Sequence, residues 1–358
     1  MDILGTGIIF AQGLGMTALE ESLRNGWRKP DEVELPRVAG LKLPVYQVNF
    51  DMVPDKRLLK QLRRADKLSK MAVLAAADAM ADSSREDIDR KRVGIILATA
   101  FGPHGTTFNF LDDILDYGDS GVSPTTFSHS VHNAATSYIA NALNIQGPTL
   151  TVTQFRFSFQ AALQLAKAWL EQGRCDHVLV GGIDHYGEVL GYVADHKLNT
   201  ATDGRIKPFT FSPTCQVPGE GAAFFLLGNS SSGNAGCSVS TRFDYEESSV
   251  VLPADLDIID ADGMLSDESA YLSSLSADTP VTSYTPLFGS MMVGGAFNLA
   301  AAVLMLKNQT MYAAPVPDNP HGLRLVTETR NARLDTIRCI GCNCYGEKTF
   351  TYLRRLSP

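Results

Sequence analysis

The sequence predicts an α/β protein built as a layered sheet covered by helices on both sides. Two observations carry that prediction. Short, almost wholly apolar runs of strand length alternate with longer helix-patterned segments, the pattern of strands buried on both faces. Thirty glycines supply the tight turns and close backbone approaches such a fold needs. With 358 residues, 44% of them hydrophobic, the chain exceeds one ordinary domain and suggests two core-bearing units.

The elements follow in order. Ser69 to Met80 is rich in alanine and methionine and reads as a helix apolar on most faces, and Val93 to Ala98 reads as a buried strand. Thr151 to Gln160, after Gly147-Pro148, has the layout of a strand, a tight turn and a helix start. Ala161 to Gln172 is a largely buried helix with Gly173 as its stop. His177 to Gly182 and Ala222 to Leu227 are further strands. From Asn229 to Gly236 the periodicity vanishes, which marks a boundary between residues 1–232 and 233–358. Beyond it come a strand at Leu256 to Asp260, helices at Asp267 to Leu275 and Asn298 to Leu306, and strands at Ile337 to Cys342 and Thr349 to Leu353.

Composition narrows the function. A net charge of −8 argues against a general nucleic-acid binder. The basic clusters Lys56-Arg57, Arg63-Arg64 and Arg90-Lys91-Arg92 are expected to face solvent. Six cysteines are too dilute for a disulfide scaffold, and Cys339 and Cys342, a lone CxxC, lack the second pair or histidines of a zinc site. No run approaches 18 continuous apolar residues and no leader is evident, so a soluble cytoplasmic protein without a membrane partner is expected.

The turn within Thr151 to Gln160 is where many enzymes hold a nucleophile, yet its crest is Arg156, flanked by Phe155 and Phe157. A guanidinium stays protonated at physiological pH and cannot attack a carbonyl.

The motifs around this turn occur in the order of a known family. Arg64-Ala65-Asp66-Lys67-Leu68-Ser69 precedes a long helix, and Ser128 to Ala135 lies before the turn. Gly147 to Val152 leads into it, and Val180-Gly181-Gly182-Ile183-Asp184 follows its helix. Lys207-Pro208-Phe209, Pro218-Gly219-Glu220-Gly221-Ala222 and Asn343-Cys344-Tyr345-Gly346 complete the set. Over most of its length the chain resembles the thiolase-like β-ketoacyl synthase family. The resemblance implies a layered αβαβα fold with two similar halves.

Synthases of that family condense an acyl chain held on cysteine with a malonyl unit on acyl carrier protein, assisted by two histidines. The resemblance places Arg156 at the nucleophile, Asp262 at the first histidine (in Asp260-Ala261-Asp262-Gly263-Met264) and Ser290, or Gly289 in the adjacent register, at the second. No catalytic residue is therefore expected. Asp262 would repel a developing enolate, and a buried Arg156 needs a carboxylate partner, so either the two pair across a vestigial site or Arg156 points to solvent or stabilises a partner's loop. Phe155, Phe157 and Phe159 either fill an abandoned pocket from one side of the turn or shape an acyl tunnel, with Gln154, His129 and His132 as further tunnel or interface candidates. His177 and His185 are expected to be structural, and His104 to sit in a loop against ligand or solvent.

What the resemblance implies is a chain-length-factor-like subunit, without cofactor or metal, in polyketide, aryl-polyene or fatty-acid-like biosynthesis. Its partners would be a cysteine-bearing β-ketoacyl synthase, as a heterodimer or a higher assembly, and an acyl carrier protein presenting acyl chains on phosphopantetheine. The alternatives are an independent decarboxylase, acyltransferase or synthase using a displaced residue such as Cys215, and a scaffolding or small-molecule-binding protein.

Overall fold

The structure, a computed structural model, describes residues 1–35, 38, 40–83, 88–229, 236–244 and 252–356. Ten strands carry the architecture: β1 (Asp2–Phe10), β2 (Val93–Ala98), β3 (Thr149–Val152), β4 (His177–Asp184), β5 (Gly221–Gly228), β6 (Cys237–Phe243), β7 (Leu256–Ile259), β8 (Val281–Thr282), β9 (Thr336–Cys342) and β10 (Lys348–Arg355). They lie in the order β8-β7-β9-β10-β6-β1-β5-β4-β2-β3, with the short strand Gly13–Leu14 folded back on β1. Cut between β6 and β1, this order gives two five-stranded units of the same plan, each strand of the second numbered five above its counterpart. The pairing senses repeat too: β1 with β5 and β5 with β4 are antiparallel, β4 with β2 and β2 with β3 parallel. The second unit does the same from β6 to β8. Antiparallel contacts of Asp2 with Ser238 and Ile3 with Cys237 join the units. The expected boundary at 232/233 lies outside the described residues, between β5 and β6.

The α/β fold follows from which faces are apolar. Every residue of β2 and β5 is buried, so helices must cover both sides. Two helices pack between the units: α1 (Ser158–Glu171), which joins β3 to β4, and α2 (Gly294–Asn308), which lies between β8 and β9. Phe159, Phe225, Phe297 and Leu299 meet in the core they share. The outer face of the first unit is covered by the helix Lys67–Asp82, whose start is fixed by Asp66 accepting the Ser69 N–H at 2.8 Å. The helix expected at Asp267 to Leu275 is instead a 3₁₀ helix, Ser269–Ser274. Its serines compete for backbone hydrogen bonds, Asp267 accepts the Ser269 N–H at 2.7 Å, and Pro280 follows closely. The other helices and strands expected from sequence are present, most extended by one to several residues.

The outer helix approaches β1 so closely that side chains are excluded. A Cβ on Gly5 would lie 2.2 Å from the Ala79 carbonyl oxygen, and one on Gly7 2.2 Å from that of Ala75. Both obstacles are backbone and cannot swing aside. Gly7→Ala should therefore force the helix off the sheet and cost about 1–3 kcal/mol, read from urea unfolding; an unchanged midpoint would refute this packing.

Candidate functional site

The site begins at the turn after β3. Gln154 is extended in φ (−145°), Phe155 takes a left-handed φ of 46°, and a 3₁₀ turn Phe155–Phe157 feeds α1. The buried Ser158 hydroxyl braces the turn. It accepts the Gln154 N–H at 2.7 Å, and its single proton lies between the carbonyls of Phe155 (2.7 Å) and Thr99 (3.1 Å). This geometry sends Arg156 inward.

It also corrects the expectation that the three phenylalanines share one side. The turn breaks the alternation: Phe157 packs edge-on against Phe243 with ring centroids 5.7 Å apart and Phe159 lies tilted against Phe225 at 5.8 Å, both buried, while Phe155 is 63% exposed.

Arg156 donates from Nη2 to Asp262 Oδ1 at 2.9 Å, with both side chains almost fully buried. Of the two placements, the pair is the one realised. Asp262 Oδ1 also accepts the Met264 N–H at 3.1 Å, and the Asp262 carbonyl accepts the Ser290 hydroxyl at 2.5 Å. Ser290 Oγ in turn accepts the Val217 N–H at 3.0 Å. Arg156, Asp262 and Ser290 are thus in one hydrogen-bonded chain. A Cβ on Gly289 would meet Gly219 Cα at 2.6 Å, so this chain accepts no side chain at that position.

Three residues not singled out from sequence complete the cluster: Asp260, Glu268 and Tyr271. Glu268 accepts the N–H groups of Asp262 and Gly263 at 3.3 and 3.1 Å, and Tyr271 donates its hydroxyl to Asp260. Burial opposes the charge on Arg156, but Asp262, Asp260, Tyr271 and Glu268 outweigh it, so the guanidinium is held more firmly protonated than a free arginine. Burial, reinforced by Asp262, pushes Glu268 up to about 8, against the pull of Arg156. Burial likewise pushes Asp260 up to about 6. One cation cannot neutralise three buried carboxylates, so the surplus charge favours proton uptake by Glu268 and Asp260. A signal for Asp260 was present in the sequence, two residues before Asp262.

Beside this cluster lies a largely apolar cavity of about 280 Å³, lined by Phe101, Leu190, Met264, Ser290, Met291 and Met292 among others. Arg156 and Asp262 do not line it. Gln154 is exposed, His132 is exposed, and His129 Nε2 lies 2.8 Å from the Tyr138 hydroxyl, so these candidates belong to the surface flanking the turn. Contrary to expectation, His104 opens the helix His104–Tyr117 and is buried, stacked on His185 at 4.0 Å. Burial pushes His104 down to about 4 and His185 well below the usual imidazole range, so both are neutral. Cys215 is exposed, and Cys339 and Cys342 are buried in β9. Among the described residues no group of three or more His, Cys, Asp or Glu side chains is arranged to hold a metal ion, and no helix is long and apolar enough to cross a membrane. Glu220, from the Pro218 to Ala222 motif, accepts the N–H groups of Val48 (2.7 Å) and Tyr186 (3.0 Å) and pairs with Lys67 of the Arg64 to Ser69 motif.

A family model described as the β-ketoacyl synthase N-terminal domain matches residues 2–232. The chain is 26% identical over 228 residues to nodulation protein E of Rhizobium meliloti (strain 1021), covering 63% of this chain and 56% of that protein. It is 26% identical over 177 residues to 3-oxoacyl-[acyl-carrier-protein] synthase 2 of Staphylococcus aureus (strain N315), covering 47% and 42%. These alignments therefore span about half of each relative's length. Among solved structures, the ishigamide ketosynthase/chain length factor superposes with a TM-score of 0.80 at 17% identity, covering 99% of both chains. A β-ketoacyl synthase from Burkholderia phymatum STM815 superposes at 0.78 with 16% identity and the same coverage. At these identities the structures establish the layered, thiolase-like fold.

Arg156→Ala should destabilise the protein by about 3–5 kcal/mol in urea at neutral pH, because it strands buried carboxylates; a loss below about 1 kcal/mol would contradict that dependence. A pH series isolates Glu268. Its folded pKa is raised, so its contribution is fully present below about pH 4.5, the ordinary glutamate value, and is lost as pH rises through about 8. Glu268→Gln should flatten the decline in stability between those limits; an unchanged slope would assign it to other groups.

Proposed function

Because the chain belongs to the β-ketoacyl synthase family, we propose that it is a non-condensing, chain-length-factor-like subunit that works beside a cysteine-bearing β-ketoacyl synthase. The observation that carries this reading is the buried Arg156–Asp262 pair. Condensation requires a thiolate to receive the acyl chain and donors to stabilise the charge left when carbon dioxide departs. At the positions the sequence resemblance assigns to them, this chain has a locked guanidinium, a carboxylate and a serine whose hydroxyl is engaged with Asp262. None of these can be the nucleophile without dismantling the pair.

In this division of labour the partner supplies the cysteine and both histidines and forms the carbon–carbon bond. This chain supports the partner's loops and fixes the wall the growing acyl chain meets; a further unit must then overpack that wall. The substrates are acyl and malonyl groups on the phosphopantetheine of an acyl carrier protein, in polyketide, aryl-polyene or fatty-acid-like biosynthesis. A partner-facing surface is consistent with exposed apolar side chains on neighbouring elements: Leu111, Leu115 and Tyr117 on the helix His104–Tyr117, and Phe127 on Pro124–His129. Large exposed apolar patches mark association surfaces.

Co-expression with a cysteine-bearing synthase from the same gene neighbourhood should give a stable complex. That complex should convert malonyl-carrier to products whose length distribution changes when this chain is omitted. Failure to co-purify with no change in products, or condensation by the isolated chain, would defeat the proposal.

A further inference from the structure

The two units of the sheet differ on their outer faces, and the second carries a basic groove. In the first unit the 16-residue helix Lys67–Asp82 lies against β1. In the second unit only residues 244–255 join β6 to β7, too few to repeat that helix. Side chains alternate along β6, β9 and β10. Val239, Cys339 and Leu353 face the core shared with α1 and α2, which turns Arg242, Arg338, Lys348 and Phe350 outward. There they line a groove of about 430 Å³ with Ser273, Ser274 and Ser276, in and just after the 3₁₀ helix Ser269–Ser274. Small-molecule sites typically enclose roughly 300–1,000 Å³.

The charges in this groove are not balanced. Arg338 is almost fully buried and donates Nε and Nη2 to the two carboxylate oxygens of Asp257 at 2.8 and 2.6 Å, with Nη2 also reaching the Ser274 carbonyl at 3.1 Å. Arg242 has no such acid. Its Nη2 donates to the Tyr352 hydroxyl at 3.2 Å, its Nε is buried without a hydrogen-bond partner, and among the described residues it forms no ion pair. Both guanidinium groups lie against the Phe350 ring, 5.2 and 5.9 Å from its centroid, so two like charges share one aromatic. Lys348 adds a third cation, donating Nζ to Ser273 Oγ at 2.7 Å, while Asp244 accepts the Lys348 N–H at 2.9 Å. Three cations against the two carboxylates of Asp257 and Asp244 leave one positive charge over, on a chain whose net charge is −8. An arginine cannot shed its proton, so only an anion balances this surplus.

We propose that this groove binds a small molecule carrying a phosphate monoester. Arg242 on β6, Lys348 on β10 and Ser276 after the 3₁₀ helix supply donors from three elements. Ser276 Oγ accepts the Asp278 N–H at 3.3 Å and keeps its own proton to give. A dianionic group with three acceptor oxygens uses such a set more fully than a two-oxygen carboxylate. The groove is larger than a phosphate group, and Phe350 and Leu275 give it an apolar wall for an organic body. It opens on the face of the sheet turned away from α1 and α2, and the inference stands independently of the subunit reading.

Isothermal titration calorimetry on the isolated full chain, in phosphate-free buffer at fixed ionic strength, tests this with phenyl phosphate, inorganic phosphate and benzoate. Phenyl phosphate should bind saturably, about threefold or more tighter than inorganic phosphate because its ring meets the apolar wall. Benzoate should bind more weakly than phenyl phosphate. Arg242→Gln and Lys348→Gln should each weaken phenyl phosphate about tenfold or more. Arg57→Gln, on the exposed helix Lys56–Gln61, should leave it unchanged. Melting of each ligand-free variant reports whether its fold is intact, and Lys348→Gln decides the matter if Arg242→Gln melts early. Amides of Lys348–Arg355 should exchange more slowly with phenyl phosphate bound. An unchanged affinity in Lys348→Gln would overturn the site, since binding would then lie elsewhere. Benzoate binding as tightly as phenyl phosphate would overturn the phosphate assignment. Equal affinities for phenyl and inorganic phosphate would overturn the organic body and reduce the groove to a place for an adventitious ion only. Binding of none of the three would overturn the proposal outright.

Discussion

A charge at the crest of a buried turn constrains everything around it. Once Arg156 is directed inward by the Ser158-braced turn, a carboxylate must meet it, because an isolated buried charge costs several kcal/mol. Asp262 meets that demand and, through its own carbonyl, fixes Ser290. The loop that carries Asp262 is held in turn by Glu268, which takes two of its N–H groups. The turn and the loop are thereby held together by electrostatics and by backbone hydrogen bonds.

The pair also binds the two halves of the molecule. Arg156 follows β3 and Asp262 follows β7, and the repeated strand order brings both to the layer between the five-stranded units. Ser290, from the second unit, reaches back to Val217 of the first. The duplicated architecture creates a central meeting place, and the residues that occupy it decide whether it is chemical or mechanical. With three acids around one guanidinium, the surplus negative charge and burial favour a bound proton on Glu268, which lowers the cluster's charge alongside the ion pair.

Much of this was legible in the sequence, for identifiable reasons. Wholly apolar runs such as Val93–Ala98 and Gly221–Gly228 have one structural solution, a strand buried on both faces. The Arg156–Asp262 pair was legible as one of two placements, because an arginine beside a helix start requires an acid if it turns inward and none if it turns to solvent. The Asp267 to Leu275 segment misled because its apolar spacing suits a helix while its serines and the following proline do not. The separation of Phe155 from Phe157 and Phe159 depends on one positive φ, which periodicity cannot reveal. Glu268 and Tyr271 stood apart in sequence from the motif they complete, and only the folded loop brings them to Arg156.

A non-condensing subunit of the kind proposed carries no acyl group at any stage of catalysis. Intact-protein mass spectrometry of the two-chain complex, quenched during turnover with acyl- and malonyl-carrier protein, tests it directly. An acyl adduct should appear on the partner alone, with this chain at its unmodified mass. An acyl adduct on this chain, at Cys215 or elsewhere, that forms and decays at the rate of product formation would contradict it.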